Sequence, residues 1–243
     1  MATIRFDHIA IATHRIADAP AFLAGELGGE PKAGRMGGAA FSWGVWRFEG
    51  GGKIEILEPF GRDGFLHRFL AHRGPGVHHV TFKVPSLDEA IDRARAQGYT
   101  PVGRDDSDPY WKEAFLHPKQ ALGIVVQFAE AHRPPPGTPP RAWSPPPGPL
   151  NPPPPISVLG LRMRASSRER AQRQWETVLQ GEPSAGPEGL LLYRWPGSPM
   201  RITIEVDPAG REGPIAIEVA SPRPLNLPNG PHPVLGTPFQ RGV

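Results

Sequence analysis

Asp7-His8-Ile9-Ala10-Ile11 and His78-His79-Val80-Thr81-Phe82 are two strand-like stretches, and each carries histidine among apolar residues. His8 and His79 lie 71 positions apart. A second pair of stretches, Ile54-Glu55-Ile56-Leu57 and Val126-Gln127-Phe128-Ala129, repeats at an offset of 72 positions. The chain therefore contains an internal duplication. Duplication of a backbone explains matched apolar residues, but matched polar residues indicate a shared site, and a metal site is the leading hypothesis.

Strand alternation predicts which face the four polar side chains share. Successive side chains of a strand point to opposite faces, so the bulky apolar neighbours can pack against a helix while the polar ones face the concave side of the sheet. A buried carboxylate and buried imidazoles without partners would be costly, and one divalent cation removes that cost. Zn, Ni, Co, Fe or Mn suits such ligands. The predicted ligands are His8, Glu55, His79 and, more weakly, Gln127; His78 is expected to face the opposite side.

Residues 1–132 are predicted to form two tandem βαβββ units. Asp18 is a plausible N-cap for the first helix, which Gly28 and Gly29 end. The second helix begins at a capping box, Ser86–Glu89, and ends at Gly98. Strands are predicted at residues 4–12, 41–48, 53–57, 77–84, 99–103, 111–116 and 123–129.

The remaining chain divides into a linker, a partial unit and a tail. Residues 133–155 hold 13 of the 33 prolines, which predicts extended polyproline conformation, either as a spacer or as a strap over the first domain. Residues 156–220 repeat the pattern once more, with a capping box at Ser166–Glu169, and the tail, 221–243, is rich in proline. Leu161, Pro214 and Glu205 are assigned to the positions of His8, His79 and Glu55, so this region is predicted to be a degenerate copy without a metal.

Composition excludes several functional classes. The chain has no cysteine, so disulfides and Cys-ligated zinc are excluded. Its net charge of +3 and scattered arginines argue against nucleic-acid binding. There is no apolar run long enough to span a membrane and no apolar segment near the amino terminus, so we expect a cytoplasmic protein.

The motifs Asp7–Ala12, Lys53–Pro59, Gly76–Phe82 and Phe115–Lys119 together resemble the vicinal-oxygen-chelate superfamily, and most of all methylmalonyl-CoA epimerases and their glyoxalase-like relatives. The resemblance covers about residues 4–130. It implies an α+β fold in which tandem βαβββ modules form a cup-shaped sheet around one metal. Carried over position by position, the implied ligands are again His8, Glu55, His79 and Gln127.

One residue departs from this pattern. The last ligand in these enzymes is usually glutamate, whereas Gln127 cannot ionise and cannot act as a base. No glutamate lies between Lys32 and Arg47, where epimerase-like proteins place a second base. Both features weaken the epimerase interpretation, and Gln127 also weakens the extradiol-dioxygenase interpretation, which needs the final carboxylate. Glu55 is left as the predicted catalytic carboxylate.

The functional prediction is a glyoxalase-like, metal-dependent lyase or isomerase that acts on a small oxygen-chelating substrate. Two alternatives remain open: a non-catalytic ligand-binding protein of the resistance type, and an extradiol-type dioxygenase. The third unit is expected to pack on the first domain or to mediate a homodimer. The candidate substrate contacts are Trp43, Trp46, Arg104, Tyr110, Trp111 and Lys112.

Overall fold

Two mixed β-sheets form the framework of the molecule. The computed structural model describes residues 3–37, 40–133, 135, 143–187 and 189–242. The strands are β1 (Arg5–Ala12), β2 (Glu30–Arg35), β3 (Phe41–Arg47), β4 (Lys53–Pro59), β5 (Gly76–Lys83), β6 (Val102–Asp108), β7 (Trp111–Leu116), β8 (Val125–Ala131), β9 (Ser157–Ala165), β10 (Glu182–Ser184), β11 (Leu190–Arg194), β12 (Arg201–Val206), β13 (Gly213–Ala220) and β14 (Phe239–Arg241).

The helices are short and pack on the sheets. A 3₁₀ turn at Ile16–Asp18 precedes the first of them. No helix among the described residues has the length and the apolar character needed to cross a membrane. The helices are α1 (Pro20–Leu23), α2 (Phe65–Arg73), α3 (Leu87–Ala96) and α4 (Arg168–Ala171), the last of which continues as a π-helix over Gln172–Val178.

The eight-stranded sheet contains both halves of the duplication. Its strand order is β2-β3-β4-β1-β5-β8-β7-β6, so the two halves meet where β1 pairs antiparallel with β5. Within each half the first and last strands are parallel neighbours, β1 with β4 and β5 with β8. Two βαβββ modules therefore form one curled sheet, and the fold predicted from the sequence is confirmed.

The six-stranded sheet is an incomplete version of the same design. Its order is β10-β11-β12-β9-β13-β14, with β9 parallel to β12 and antiparallel to β13. β14 pairs parallel with β13, as β8 does with β5. The fourth module is thus reduced to two strands, β13 and β14. β14 was not predicted from the sequence because it lies in the proline-rich tail.

The two sheets share one hydrophobic core. Phe6 and Phe82 stack with ring centroids 4.8 Å apart, and the Trp195 ring lies 4.7 Å from that of Phe82. Trp175 is completely buried in the same cluster. The apolar face of β1 and β5 is therefore covered by aromatic residues of the carboxy-terminal region.

Residues 143–155 lie as a strap on the first module. Trp143 packs edge-on against Trp46, and a Cβ atom at Gly34 would collide with the Trp143 ring. The strap ends where the backbone N–H of Ile156 donates to the carbonyl of Leu27. Of the predicted linker, residues 134 and 136–142 lie outside the described residues.

Two local predictions need correction, and one helix was not predicted. Asp18 is not an N-cap, because it ends the 3₁₀ turn and α1 begins at Pro20 without a side-chain cap. The cap of α4 is Ser167, not Ser166, since the Ser167 hydroxyl accepts from the N–H of Arg170. Helix α2 was not predicted, although its apolar residues Phe65, Leu66, Phe69 and Leu70 recur at helical spacing.

Candidate metal centre

Two β-bulges between β1 and β5 shape the concave face of the eight-stranded sheet. The register shifts show that β1 carries one extra residue at Asp7 and that β5 carries one at His78. A bulge changes the direction of the side chains around it. Here it brings Asp7 Oδ2 to 2.9 Å from Nδ1 of His8, and Nδ1 of His78 to 3.0 Å from Nδ1 of His79. The expectation that His78 faces away from the site is therefore wrong.

Three of the predicted ligands converge at this point. Oε2 of Glu55 lies 3.4 Å from Nε2 of His8 and 3.7 Å from Nε2 of His79. One donor atom from each residue falls within 4.8 Å of the other two. The register explains this convergence, because Ala10 of β1 lies between Glu55 of β4 and His79 of β5.

His79 leaves a buried polar atom unsatisfied. Its Nε2 is buried and has no hydrogen-bond partner among the described residues. Buried nitrogen atoms are normally paired, so an orphaned one that points at a carboxylate and a second imidazole requires an explanation. A cation bound by two nitrogens and one oxygen accounts for all three side chains.

Gln127 lies beside the three convergent ligands and is held by its neighbours. The Thr81 hydroxyl donates to Oε1 of Gln127 at 2.5 Å and lies 2.9 Å from Nε2 of His8. Nε2 of Gln127 donates to Glu113 at 2.7 Å. Both ends of the amide are thus engaged by the protein.

The two ligand histidines have pKa values shifted in opposite directions. Burial would lower the pKa of His8, but the charge and hydrogen bonds of Glu55 and Asp7 outweigh it and raise the pKa to about 9. Burial also acts against the charge of Asp7, yet the hydrogen bond and charge of His8, with Lys53 and Lys83, hold its pKa well below the usual range. His8 is therefore an imidazolium at neutral pH.

His79 has the opposite character. Burial lowers its pKa well below the usual value, and the repulsion that a protonated His79 would meet from a proton on His78 or His8 lowers it further. Burial, and then the charge of Arg73, lower the pKa of His78 to about 4. The rings of Phe65 and Phe69 contact His78 and supply this apolar environment. Both His78 and His79 are consequently neutral at pH 7.

A cavity of about 540 Å³ opens at one side of the sheet. Arg35 of β2 and residues of the β6–β7 hairpin, including Tyr110 and Trp111, line it together with Glu113. Glu113 accepts from Nε1 of Trp111 and from Gln127, each at 2.7 Å, so this carboxylate connects the cavity wall to the residues of the site. Glu113 was not predicted from the sequence, although alternation along β7 places it on the same face as Phe115, which lies opposite Gln127.

The predicted substrate contacts are dispersed. Trp111 and Tyr110 lie at the cavity, and Trp43 packs against the apolar cluster under α2. Trp46 was misassigned, because it is 1 % exposed in the core. Arg104 was also misassigned, because Asp88 and Asp106 hold it on the surface. Lys112 pairs with Glu130 and does not line the cavity.

The six-stranded sheet repeats both bulges. β9 carries an extra residue at Leu159 and β13 carries one at Ile215. These positions match Asp7 and His78, since each lies in the same register relative to its partner strand. The bulges therefore belong to the duplicated fold, whereas their polar residues belong to the first copy alone.

Alignment on the bulges shows what replaces the ligands in the second sheet. In place of His8, Glu55 and His79 it has Gly160, Thr203 and Ala216. The earlier assignment of Leu161, Glu205 and Pro214 is wrong: the equivalent residue lies one position earlier in β9, two earlier in β12 and two later in β13, because the spacing of residues in the chain does not fix strand register. The described part of this sheet contains no group of three metal-ligating residues. Glu218 is buried in the second sheet, where its carboxylate accepts hydrogen bonds from Arg162, Arg201 and Thr203.

Comparison with known proteins agrees with this geometry. The model of the glyoxalase/bleomycin resistance protein/dioxygenase superfamily matches residues 7–115. The uncharacterised protein YqjC of Bacillus subtilis is 31 % identical over 134 residues, which cover 52 % of this chain and 91 % of that protein. The chain belongs to this superfamily. Human mitochondrial methylmalonyl-CoA epimerase is 28 % identical over 131 residues, covering 52 % of this chain and 74 % of the epimerase.

Two solved structures are similar in fold to this chain. A hypothetical protein of Bacillus halodurans superposes with a TM-score of 0.50 and 27 % identity, covering 54 % of this chain and 97 % of that one. A mutant of 4-hydroxymandelate synthase from Streptomyces coelicolor superposes with a TM-score of 0.62 and 14 % identity over 90 % of this chain and 71 % of the synthase. The second likeness concerns the fold alone, and it extends over both sheets.

Proposed function

We propose that the chain is a divalent-metal-dependent lyase or isomerase of the glyoxalase type that acts on a small oxygen-chelating substrate. The observation that carries this proposal is the convergence of His8, Glu55 and His79, with Nε2 of His79 buried and unpartnered. Two imidazoles and a carboxylate match the donors that Zn, Ni, Co, Fe and Mn accept. When bound, such a cation supplies Lewis-acid chemistry that stabilises negative charge on substrate oxygens.

The residues around the ligands supply binding and proton transfer. Trp111 and Tyr110 form a wall of the cavity, where their rings can cover the substrate and exclude water. Glu113 places a carboxylate on the same wall, held in position by Trp111 and Gln127. Glu113 takes the role of the second base, because no glutamate lies between Lys32 and Arg47, where epimerase-like proteins place that base. We assign proton transfer to Glu55 and Glu113, because Gln127 cannot take up a proton.

The relatives support an isomerase more than they define a substrate. Methylmalonyl-CoA epimerases of human and bovine mitochondria are each 28 % identical to this chain over 52 % of its length. Their name gives the reaction class, an epimerisation. These enzymes usually have glutamate where this chain has Gln127. We therefore propose their reaction class for this chain but not their substrate.

One observation favours a second candidate, a dioxygenase. Because Thr81 and Glu113 engage the amide of Gln127, the free donors reduce to two histidines and one carboxylate. This set is typical of non-haem Fe(II) oxygenases. Loading the full chain with Fe(II) without oxygen and then measuring O₂ consumption with catechol and 2-oxo acid substrates tests it, whereas Zn- or Ni-loaded protein should consume none.

Metal analysis of the purified full chain tests the proposed site. About one equivalent of a divalent metal is expected, and His8→Ala and His79→Ala should each abolish it, because two remaining ligands hold such ions weakly. His14→Ala is the matched control, since His14 is exposed and is not one of the convergent ligands. A folded wild-type protein that binds none of the five metals would refute the proposal and favour the ligand-binding alternative.

The reaction class needs a separate experiment. The metal-loaded protein is incubated in D₂O with hemithioacetals and with 2-substituted acyl thioesters, and deuterium at the carbon beside the carbonyl is measured by NMR. Exchange that is lost in Glu113→Gln while the metal content is retained would support the proton-transfer role. A homodimer, a cytoplasmic location and the domain boundaries at 132 and 156 stay predictions.

A further inference from the structure

The bulge residues Asp7 and His78 have no role in the site as proposed so far. Each is the extra residue of its strand, and each contacts the ligand histidine that follows it in the chain. In the second sheet the bulges persist, but the extra residues are Leu159 and Ile215, and Gly160 and Ala216 stand at the histidine positions. Polar bulge residues and ligand histidines are therefore present together or absent together.

The contacts are specific to one ring nitrogen. Both bulge residues approach Nδ1 of their histidine, at 2.9 Å for His8 and 3.0 Å for His79, whereas both Nε2 atoms face Glu55. An imidazole that is held through one nitrogen presents the other in a fixed direction and protonation state. In a regular strand the residue before each ligand histidine would point to the opposite face. The bulges turn this residue towards the histidine, so that it contacts Nδ1.

We propose that Asp7 and His78 are positioning residues: each accepts the Nδ1 proton of its neighbour, so that Nε2 is the nitrogen that His8 and His79 offer to a cation. This inference rests on the proposed function. For the neighbouring pair it requires His79 to donate and His78 to accept, because the reverse arrangement would put the proton of His79 on Nε2.

The two positioning residues are themselves held in place. Asp7 Oδ1 lies 2.8 Å from Nζ of Lys53 and 3.4 Å from Nζ of Lys83, so the carboxylate is fixed between two cations and the ring of His8. His78 is held by ring contacts with Phe65 and Phe69 of α2. The helix over the concave face therefore helps to orient His79 indirectly, through its contacts with His78.

The tautomer of His79 tests the proposal without any metal. Long-range ¹H–¹⁵N spectra of the metal-free full chain should show His79 protonated at Nδ1. His78→Phe keeps an aromatic ring against α2 but removes the acceptor, and it should shift the proton of His79 towards Nε2. A His79 ring already protonated at Nε2 in the wild type would overturn the proposal for this pair.

Metal affinity provides the second readout. Competition between the protein and a chelator for Co²⁺ should show about 10- to 100-fold weaker binding in Asp7→Ala and in His78→Phe, which is the usual effect of removing such a partner. Asp7→Asn retains an acceptor and should restore part of the loss. Leu159→Ala, at the equivalent bulge of the second sheet, is the matched control and should bind as the wild type does.

The outcomes separate this inference from the proposed function. A wild type that binds no Co²⁺ refutes the metal site, while the tautomer measurement still tests the orientation of His79. A wild type that binds Co²⁺, together with folded Asp7→Ala and His78→Phe variants that bind it equally well, refutes the positioning role alone. Circular dichroism and the thermal midpoint of each variant show that the fold is retained.

Discussion

Metal binding at the candidate centre should release about one proton at pH 7. The pKa of His8 in the metal-free protein is raised to about 9, so about 99 % of its rings are protonated at pH 7. A ligand imidazole must lose the proton from the nitrogen that binds the metal. His79 contributes almost nothing to this count, because its pKa is lowered well below the usual value and its ring is already neutral.

The sign of the pH dependence follows from the same values. Between about pH 6 and pH 9 protons compete with the metal for His8, so each unit of increase in pH should tighten binding by about tenfold. Affinity at pH 7 is then about 100-fold lower than its limit above pH 9, and it should become nearly independent of pH beyond that limit because His8 is deprotonated there.

Isothermal titration calorimetry measures the proton count directly. Zn²⁺ is titrated into the metal-free full chain at pH 7 in buffers of different ionisation enthalpy. The observed binding enthalpy is plotted against the ionisation enthalpy of the buffer, and the slope gives the number of protons released. His14→Ala, which alters an exposed histidine, should leave that number unchanged. Release near zero would refute the imidazolium at His8, and release near two would refute the neutral state of His79.

Three further predictions concern the fold and Gln127. Truncation after Arg133 should abolish cooperative unfolding measured by calorimetry, because it uncovers the aromatic core shared by the two sheets; a stable fragment would contradict this. Trp143→Ala should lower the free energy of unfolding in urea by about 2–3 kcal/mol, since the strap loses its packed ring, whereas Leu150→Ala, 97 % exposed, should change it little. Gln127→Glu should lower the thermal midpoint of the metal-free protein, because two carboxylates would face each other where the amide of Gln127 now donates to Glu113. Addition of Zn²⁺ should raise the midpoint of this variant by more than it raises that of the wild type. An unchanged midpoint in EDTA would contradict the repulsion.

Much of the fold could be predicted because the duplication is visible in the residues themselves. Matched polar residues at offsets of 71 and 72 positions show that the same strand positions recur. Alternation within each strand then separates the apolar side from the side that carries His8, Glu55, His79 and Gln127. These are local properties of the chain, so no tertiary information is needed to read them.

The neighbours of the ligands could not be predicted in this way. Asp7 and His78 reach the site only because the pairing of β1 with β5 inserts an extra residue into each strand. A bulge is defined by two paired strands, and neither strand alone marks its position. Strict alternation therefore placed His78 on the wrong side.

The sequence by itself determined the repeated modules, the degenerate third copy and the residue types available at the candidate centre. Only the tertiary structure decided that Glu113 joins this centre through Gln127, that the strap and the second sheet cover the apolar face of the first, and that Asp7 and His78 turn inwards. The physical reason is the range of the interactions involved. Apolar periodicity acts between near neighbours in the chain, whereas strand register and shared packing join residues far apart in it.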